Sequence, residues 1–266
     1  MQFITPIRSL ACTLLGSILL LPAALGQQQL GQQKFQVATI KPSPPDTPKH
    51  TQIRGNTFAT SGTTVEDLLK FAYNVHVSQI LGGPSWVRTE PFDLLADPEM
   101  DRRPTLPELK AMTGELLAER FHLVLAREKH ELPVFALRKT NAPPKMKIIP
   151  ADPTAILSGA LLPPGNLYVH HATVSDFVNY LGRYAPPELN RPIVDQTGIS
   201  GLFEFELHFT PEGPTAEDHD ASSVSATTAP PEIFTAIQDQ LGLKLVATKA
   251  DVEVLNITSI TPPTPN

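Results

Sequence analysis

The chain has 266 residues, 41% hydrophobic and 18% charged, with 28 prolines, a composition that suits one or two globular domains with long irregular connections. Its formal charge is −6 and it has no basic run, so nucleic acid and anionic membrane surfaces are not expected partners. Cys12 is the only cysteine, which excludes disulfide stapling within the chain.

The first residues carry one basic side chain, Arg8, then an apolar run from Leu10 to Leu21, then the small residues Ala24 and Gly26. This order predicts a secretory signal peptide, residues 1–26, cleaved after Gly26. Cys12 leaves with that peptide, so thiolate catalysis and cysteine-ligated metals are not expected either. With Arg8 also gone, 20 basic against 27 acidic residues leave a formal charge of −7. The apolar run is short for a membrane span and no second one follows, so the expected product is periplasmic or secreted, with no stable membrane span.

Residues 27–34 form a polar leader. Phe35 to Lys41 alternate as a first strand, which the prolines after it terminate because proline cannot donate to a ladder. Asn56 to Gly62 read as a short strand. The run Thr63-Thr64-Val65-Glu66 has the spacing of a helix-capping box with Thr63 as the cap, and Val65, Leu68, Leu69, Ala72 and Tyr73 recur at helical spacing. A turn-rich gap around Gly82-Gly83-Pro84-Ser85 leads to a strand at Phe92 to Ala96. Thr105 and Glu108 repeat the capping logic before a second amphipathic helix, carried by Leu109, Met112, Leu116 and Leu117 and fraying near Arg120. Phe121 to Lys129 and Val134 to Lys139 then read as a hairpin.

After a proline-rich connector, residues 141–164, with one strand at Met146 to Ile149, the order recurs. A strand at Gly165 to Ala172 meets a cap, Thr173 with Asp176, and a helix whose apolar stripe is Val174, Phe177, Val178 and Leu181. Phe203, Phe205, Leu207 and Phe209 alternate with Glu204, Glu206 and His208, a half-buried strand. A last helix ends at Gly242, and two closing strands read as another hairpin. Residues 211–231 are small, polar or proline and are expected to be disordered, since they bury too little to offset ordering at roughly 1–2 kcal/mol per residue. The expected fold is α+β: tandem β-α-β-α-β-β repeats, 35–140 and 165–262, with antiparallel hairpins and helices packed on the sheets.

The stretches FQVATIKPS, LLKFAYNV, ILGGPSWV, FDLLA, LLAERFHLVLAREKHELPVFAL, RPIVDQTGISGLFEFELHFTP and FTAIQDQLGLKL, in that order, resemble the "soil-associated protein" family. This is an exported bacterial domain of unknown function. The resemblance runs from about Phe35 to Ile260. It implies export and carries no established activity, cofactor or catalytic residue onto these positions. Some relatives resemble extracytoplasmic parts of membrane metallopeptidase sensors, and the last helix and strand are similar to small protein-binding repeats of secretins and receptor signalling modules.

Several residue groups are candidates for chemistry. On a strand Glu204, Glu206 and His208 share one face, at about 7 Å per two-residue step, and adjacent members could converge on zinc or manganese. The same alternation also demands polar residues there simply as the wet side of a sheet. His170 and His171, as strand neighbours, are expected on opposite faces and not on one metal. Residues 216–220 read as a solvated acidic stretch. Glu115 and Glu119, one helical turn apart, suit paired carboxylate work but equally a surface helix. Trp86 beside its turn could line a sugar or peptide groove, or plug the end of a core. Hydrolase elbows, zinc-protease pairs, phosphate loops and dinucleotide fingerprints are all missing. The resulting expectation is an exported non-enzymatic binding or interaction module for a protein, small-molecule or glycan ligand. It has Trp86, Glu204, Glu206 and His208 as ligand-binding candidates, and neither cofactor nor metal. A secreted hydrolase acting on a polymer is the alternative.

Overall fold

A computed structural model describes residues 34–100, 102–150, 158–162, 165–184, 188–210 and 230–263. The predicted signal peptide, the leader up to Gln33, part of the connector and the insert from 211 to 229 lie outside the described residues.

The first half of the chain runs β1 (Phe35–Pro42), β2 (His50–Arg54), β3 (Thr57–Thr64), α1 (Val65–Tyr73), a 3-10 turn (Val77–Gln79) and β4 (Ile80–Gly82). It continues through α2 (Trp86–Thr89), β5 (Pro91–Pro98), α3 (Leu106–Arg120) and β6 (Val124–Lys139). The second half runs β7 (Lys147–Ile149), β8 (Ser158–Leu162), β9 (Asn166–Ala172), α4 (Val174–Tyr184), β10 (Ile193–Asp195), β11 (Leu202–His208), α5 (Ile233–Leu241) and β12 (Leu243–Ser259). The fold is α+β. Among the described residues the strands form three four-stranded sheets, ordered β1-β5-β3-β2, β7-β11-β9-β8 and β10-β6-β12-β4. The first two, the outer sheets, carry strands in the same order along the chain and are antiparallel throughout.

The middle sheet corrects the expected terminal hairpins. Val124 to Lys139 is one continuous strand of 16 residues and Leu243 to Ser259 one of 17, and they pair with each other antiparallel along nearly their whole length. Pro133 does not break β6 because the strand has only one neighbour there. The other, β10, reaches only from Phe135 to Leu137, so a missing N–H is tolerated. The flanking strands cross between halves. β4 of the first half lies parallel to β12, and β10 of the second half lies parallel to β6. Both are three residues long, too short to carry a period.

Burial follows this exchange. One core is built on α1, α3 and β5, with Leu69, Met112, Leu117 and Phe121 buried, and it is completed by Ile257 from β12. The other is built on α4, β11 and α5, with Phe177, Leu207 and Ile237 buried, and takes in Phe135 and Leu137 from β6. A third, small cluster of Val134, Val252 and Val254 joins the long strands.

The caps form as reciprocal boxes. Thr105 accepts from the Glu108 N–H while the Glu108 carboxylate accepts from the Thr105 N–H, and Thr173 and Asp176 do the same. In the first helix the box is shifted by one residue from expectation: Thr64 is the cap and Asp67 its partner. Starting the helix at Val65 buries Val65, Leu68 and Leu69 together, whereas Thr63 is still a strand residue opposite Phe92. Glu66 is thereby free to pair with Arg88, 3.1 Å away.

Each outer sheet has an irregularity just before its cap. In the first it centres on Gly62, at φ 59°, where a Cβ would stand 2.4 Å from the Thr47 carbonyl oxygen, so only glycine fits. In the second, His171 takes a similar left-handed conformation, at φ 51°. That turn of the backbone breaks strand alternation. The rings of His170 and His171, expected on opposite faces, meet edge to face with centroids 4.2 Å apart.

Candidate functional site

The residues singled out from the sequence fall into two places. Trp86 is partly buried at the end of the first core, its ring stacked on Phe121 and edge-on to Phe92 at 6.4 Å from each. It does not line a groove with the acids of β11. Those acids stand on the outer face of the second outer sheet, with Phe203 and Leu207 buried beneath. Glu204 is held by Lys147 at 2.6 Å, the Tyr168 hydroxyl at 3.0 Å and His170 Nδ1 at 3.1 Å. Glu206 stays apart and meets His208 Nε2 at 3.3 Å, while His208 Nδ1 contacts Asn166 Oδ1. Among the described residues no group of three His, Cys, Asp or Glu side chains is arranged to hold a metal ion.

The first outer sheet explains Glu204. Lys147 and Glu204 are cross-strand partners, and so are Lys41 and Asp93, whose charges lie 3.8 Å apart. Asp93 also accepts from Ser43 and from the Gly62 N–H. Each aromatic–acidic pair thus buries its ring, Phe92 or Phe203, and uses its acid to tie down a neighbouring strand. Lys147, then the Tyr168 hydroxyl, lower the Glu204 pKa from the ordinary 4.5 to about 2. A pKa depressed in the folded state means that the pair's contribution to stability is complete above about 4.5 and is lost as pH falls towards 2. Following the Glu204 carboxyl by NMR should give a midpoint near 2, and Lys147→Met should return it towards 4.5. A midpoint at 4.5 in the unaltered chain would mean that the ion pair does not persist in solution.

A concave site lies elsewhere, at the seam between the two halves. It is a cleft of about 520 Å³ lined by Lys70, Phe71 and Asn74 of the α1 region, Val75 to Val77 after it, Lys110 of α3, Val178 and Asn179 of α4, and Leu189 to Ile193 leading into β10. Its volume is in the range that holds small organic ligands. Asn74 caps the C-terminus of α1 in the left-handed conformation, φ 54°, and its side chain bridges the seam. Asn74 Nδ2 donates to Asn179 Oδ1 at 2.7 Å, and Asn74 Oδ1 accepts from Lys110 Nζ at 3.0 Å.

The charge of the lining is one-sided. Lys70, Lys110 and Arg191 contribute cations and, among the described residues, no carboxylate lines the cleft, in a chain whose formal charge is −6. Arg191 lies over the Phe135 ring, 5.4 Å from its centroid, and no ion pair engages it among the described residues. Lys70 sits 3.6 Å from Asp67, whose carboxylate is closer to Lys49. Burial, and then the Lys70 charge, push the His76 pKa below its ordinary value. His76 Nδ1 accepts from the Ser78 N–H at 3.2 Å.

Sequence reading missed this site. Lys70, Lys110 and Arg191 are far apart along the chain and stand in no motif. The only local signal was Asn74, an asparagine closing a helix where a left-handed residue is needed.

Residues 66–260 match the family model DUF3738, a protein of unknown function, and the chain belongs to that family. The match lies within the span over which the resemblance was read. No curated protein and no solved structure matches the chain. Among the described residues no helix is long and apolar enough to cross a membrane.

Proposed function

We propose that this DUF3738 chain is an exported, non-enzymatic binding module of periplasmic or extracellular address, whose ligand occupies the cleft between α1 and α4. The support for export is the predicted signal peptide together with the resemblance to the soil-associated proteins. The two outer sheets of identical strand order support an origin by internal duplication. The observation that carries the binding reading is that the cleft exists only where the halves meet, with α1 and α3 supplying one wall and α4 and the lead into β10 the other.

The hydrolase alternative would draw on Glu204, Glu206 and His208. A carboxyl held at about 2 has no proton to donate at neutral pH and is a poor base, which weighs against Glu204 in a general acid–base role.

Gly182 provides the test. It lines the cleft from α4, and a Cβ added there meets nothing within 4 Å, so a large side chain would enter open space. Replacing a helical glycine also favours the helix, by about 1 kcal/mol in the Ala reference case. Gly182→Trp should therefore keep or raise Tm. Ligands found by NMR screening should shift the side-chain amides of Asn74 and Asn179 in the unaltered chain and lose that effect in the variant. Turnover of a glycoside, ester or peptide that depends on one polar residue would defeat the non-enzymatic reading.

A further inference from the structure

Part of the cleft wall, His76, Val77 and Gln79, belongs to the 3-10 turn between α1 and β4. So short a turn has few backbone bonds of its own, and side chains must fix its end. Two do so reciprocally. His76 Nδ1 accepts from the Ser78 N–H at 3.2 Å, and Gln79 Oε1 accepts from the His76 N–H at 2.9 Å. The Gln79 amide also reaches β12, donating from Nε2 to the Glu253 carbonyl at 2.8 Å. β4 follows directly and pairs with β12 from Leu255 to Ile257. Whatever holds this turn therefore holds both a stretch of the cleft wall and a strand that crosses to the other half.

We infer that His76 is a proton-operated latch on the cleft, a regulatory device that rests on the binding reading: the neutral ring closes the turn, and the protonated ring releases it. An imidazole nitrogen that has taken a proton no longer accepts, so the Ser78 N–H would face a second N–H. The new proton has an acceptor in the Ser78 hydroxyl, 2.9 Å from Nδ1, but the ring must turn towards it and the backbone amide loses its partner. Burial, and then the Lys70 charge, hold the His76 pKa below the ordinary 6.5. Lys70 itself lies 3.6 Å from Asp67. Lys110 of α3 and Arg191 ahead of β10 line the same cleft, and His50 and Glu188 directly precede its lining residues Thr51 and Leu189. Glu253 of β12 turns its carboxylate to Arg127. A pKa lowered in the folded state means that the His76 contribution to stability is complete above about 6.5 and is lost as pH falls below that value.

The test follows the full chain, His76→Asn and His76→Ala by NMR between about pH 5 and 8, the range in which histidine changes charge. Asparagine is a good capping residue that accepts from the same amide and takes no proton. In the unaltered chain the Ser78 amide and those of β4 should shift together as the His76 ring titrates, with a midpoint below 6.5, and their protection from exchange, corrected for the intrinsic rate, should fall on the acid side. His76→Asn should stay in the closed position across the range, and His76→Ala in the open one. If the Ser78 amide stays still while the His76 ring titrates, or if the step survives in His76→Asn, the latch is overturned. All of these measurements are made without ligand. The latch can therefore fail while the Gly182→Trp comparison still marks the cleft as a binding site, and that comparison can fail with the latch intact.

Discussion

Residues 34–140 produced alone are expected to fail to fold: they should show no cooperative thermal transition, and co-production with residues 141–266 should restore one. The reason is the exchange in the middle sheet. Within the first half β6 has no neighbour at all, because its two partners, β12 and β10, both come from the second half. Among the described residues β4 pairs only with β12. Cutting the chain also uncovers Val134, Phe135 and Leu137, whose burial contributes about 1.5–3 kcal/mol each. Those losses approach the about 5–15 kcal/mol that holds a whole domain together. A naked strand of 16 residues is in addition a template for association, so aggregation of the isolated fragment is part of the expectation. A soluble 34–140 fragment with a sharp melting transition and dispersed amide signals would show that each half stands without its partner.

Phe121→Ala is expected to destabilise the intact chain by about 3–5 kcal/mol, the usual cost of emptying a fully buried aromatic site. Phe121 is 0% exposed and sits between Trp86, centroids 6.4 Å apart, and Phe92, edge to face at 5.6 Å. Its carbonyl also accepts from the Thr261 N–H at 2.8 Å, so the residue anchors the end of the chain to the first core. For a chain of this size the loss corresponds to a Tm lower by on the order of 10 °C. Trp86→Ala should cost less, since Trp86 is only partly buried at the end of the same stack. If Phe121→Ala melted within a degree or two of the unaltered chain, the aromatic stack would not be what closes that core.

The contrast between legible and illegible elements has a consistent physical basis. α3 was readable because four apolar residues at helical spacing and a threonine–glutamate box lie within one short window. β11 was readable because its alternation is set by one buried and one wet face. The error at α1 is instructive: two consecutive threonines are each followed by an acid three residues on, and only the burial of Val65 in the first core chooses Thr64 over Thr63. The hairpin misreading at Pro133 has the opposite origin. Proline there is a local stop signal that tertiary context cancels by leaving one side of β6 unpaired. Among the candidate residues, Glu204 was noticed for its pattern, yet no local pattern specified that the strands carrying Lys147, Tyr168 and His170 would lie on either side of it.

Local sequence determined the helices α1, α3, α4 and α5, the reciprocal caps of α3 and α4, the half-buried strands and with them the α+β class, because each depends on residues within one or two turns or a few strand steps of one another. Tertiary structure alone decided that β6 pairs with β12, that β4 and β10 cross to the opposite half, and that Lys70, Lys110 and Arg191 line one cleft. These juxtapositions join residues tens to more than a hundred positions apart. They are selected by which apolar faces can be buried together, a property of the assembled molecule that no short window of sequence contains.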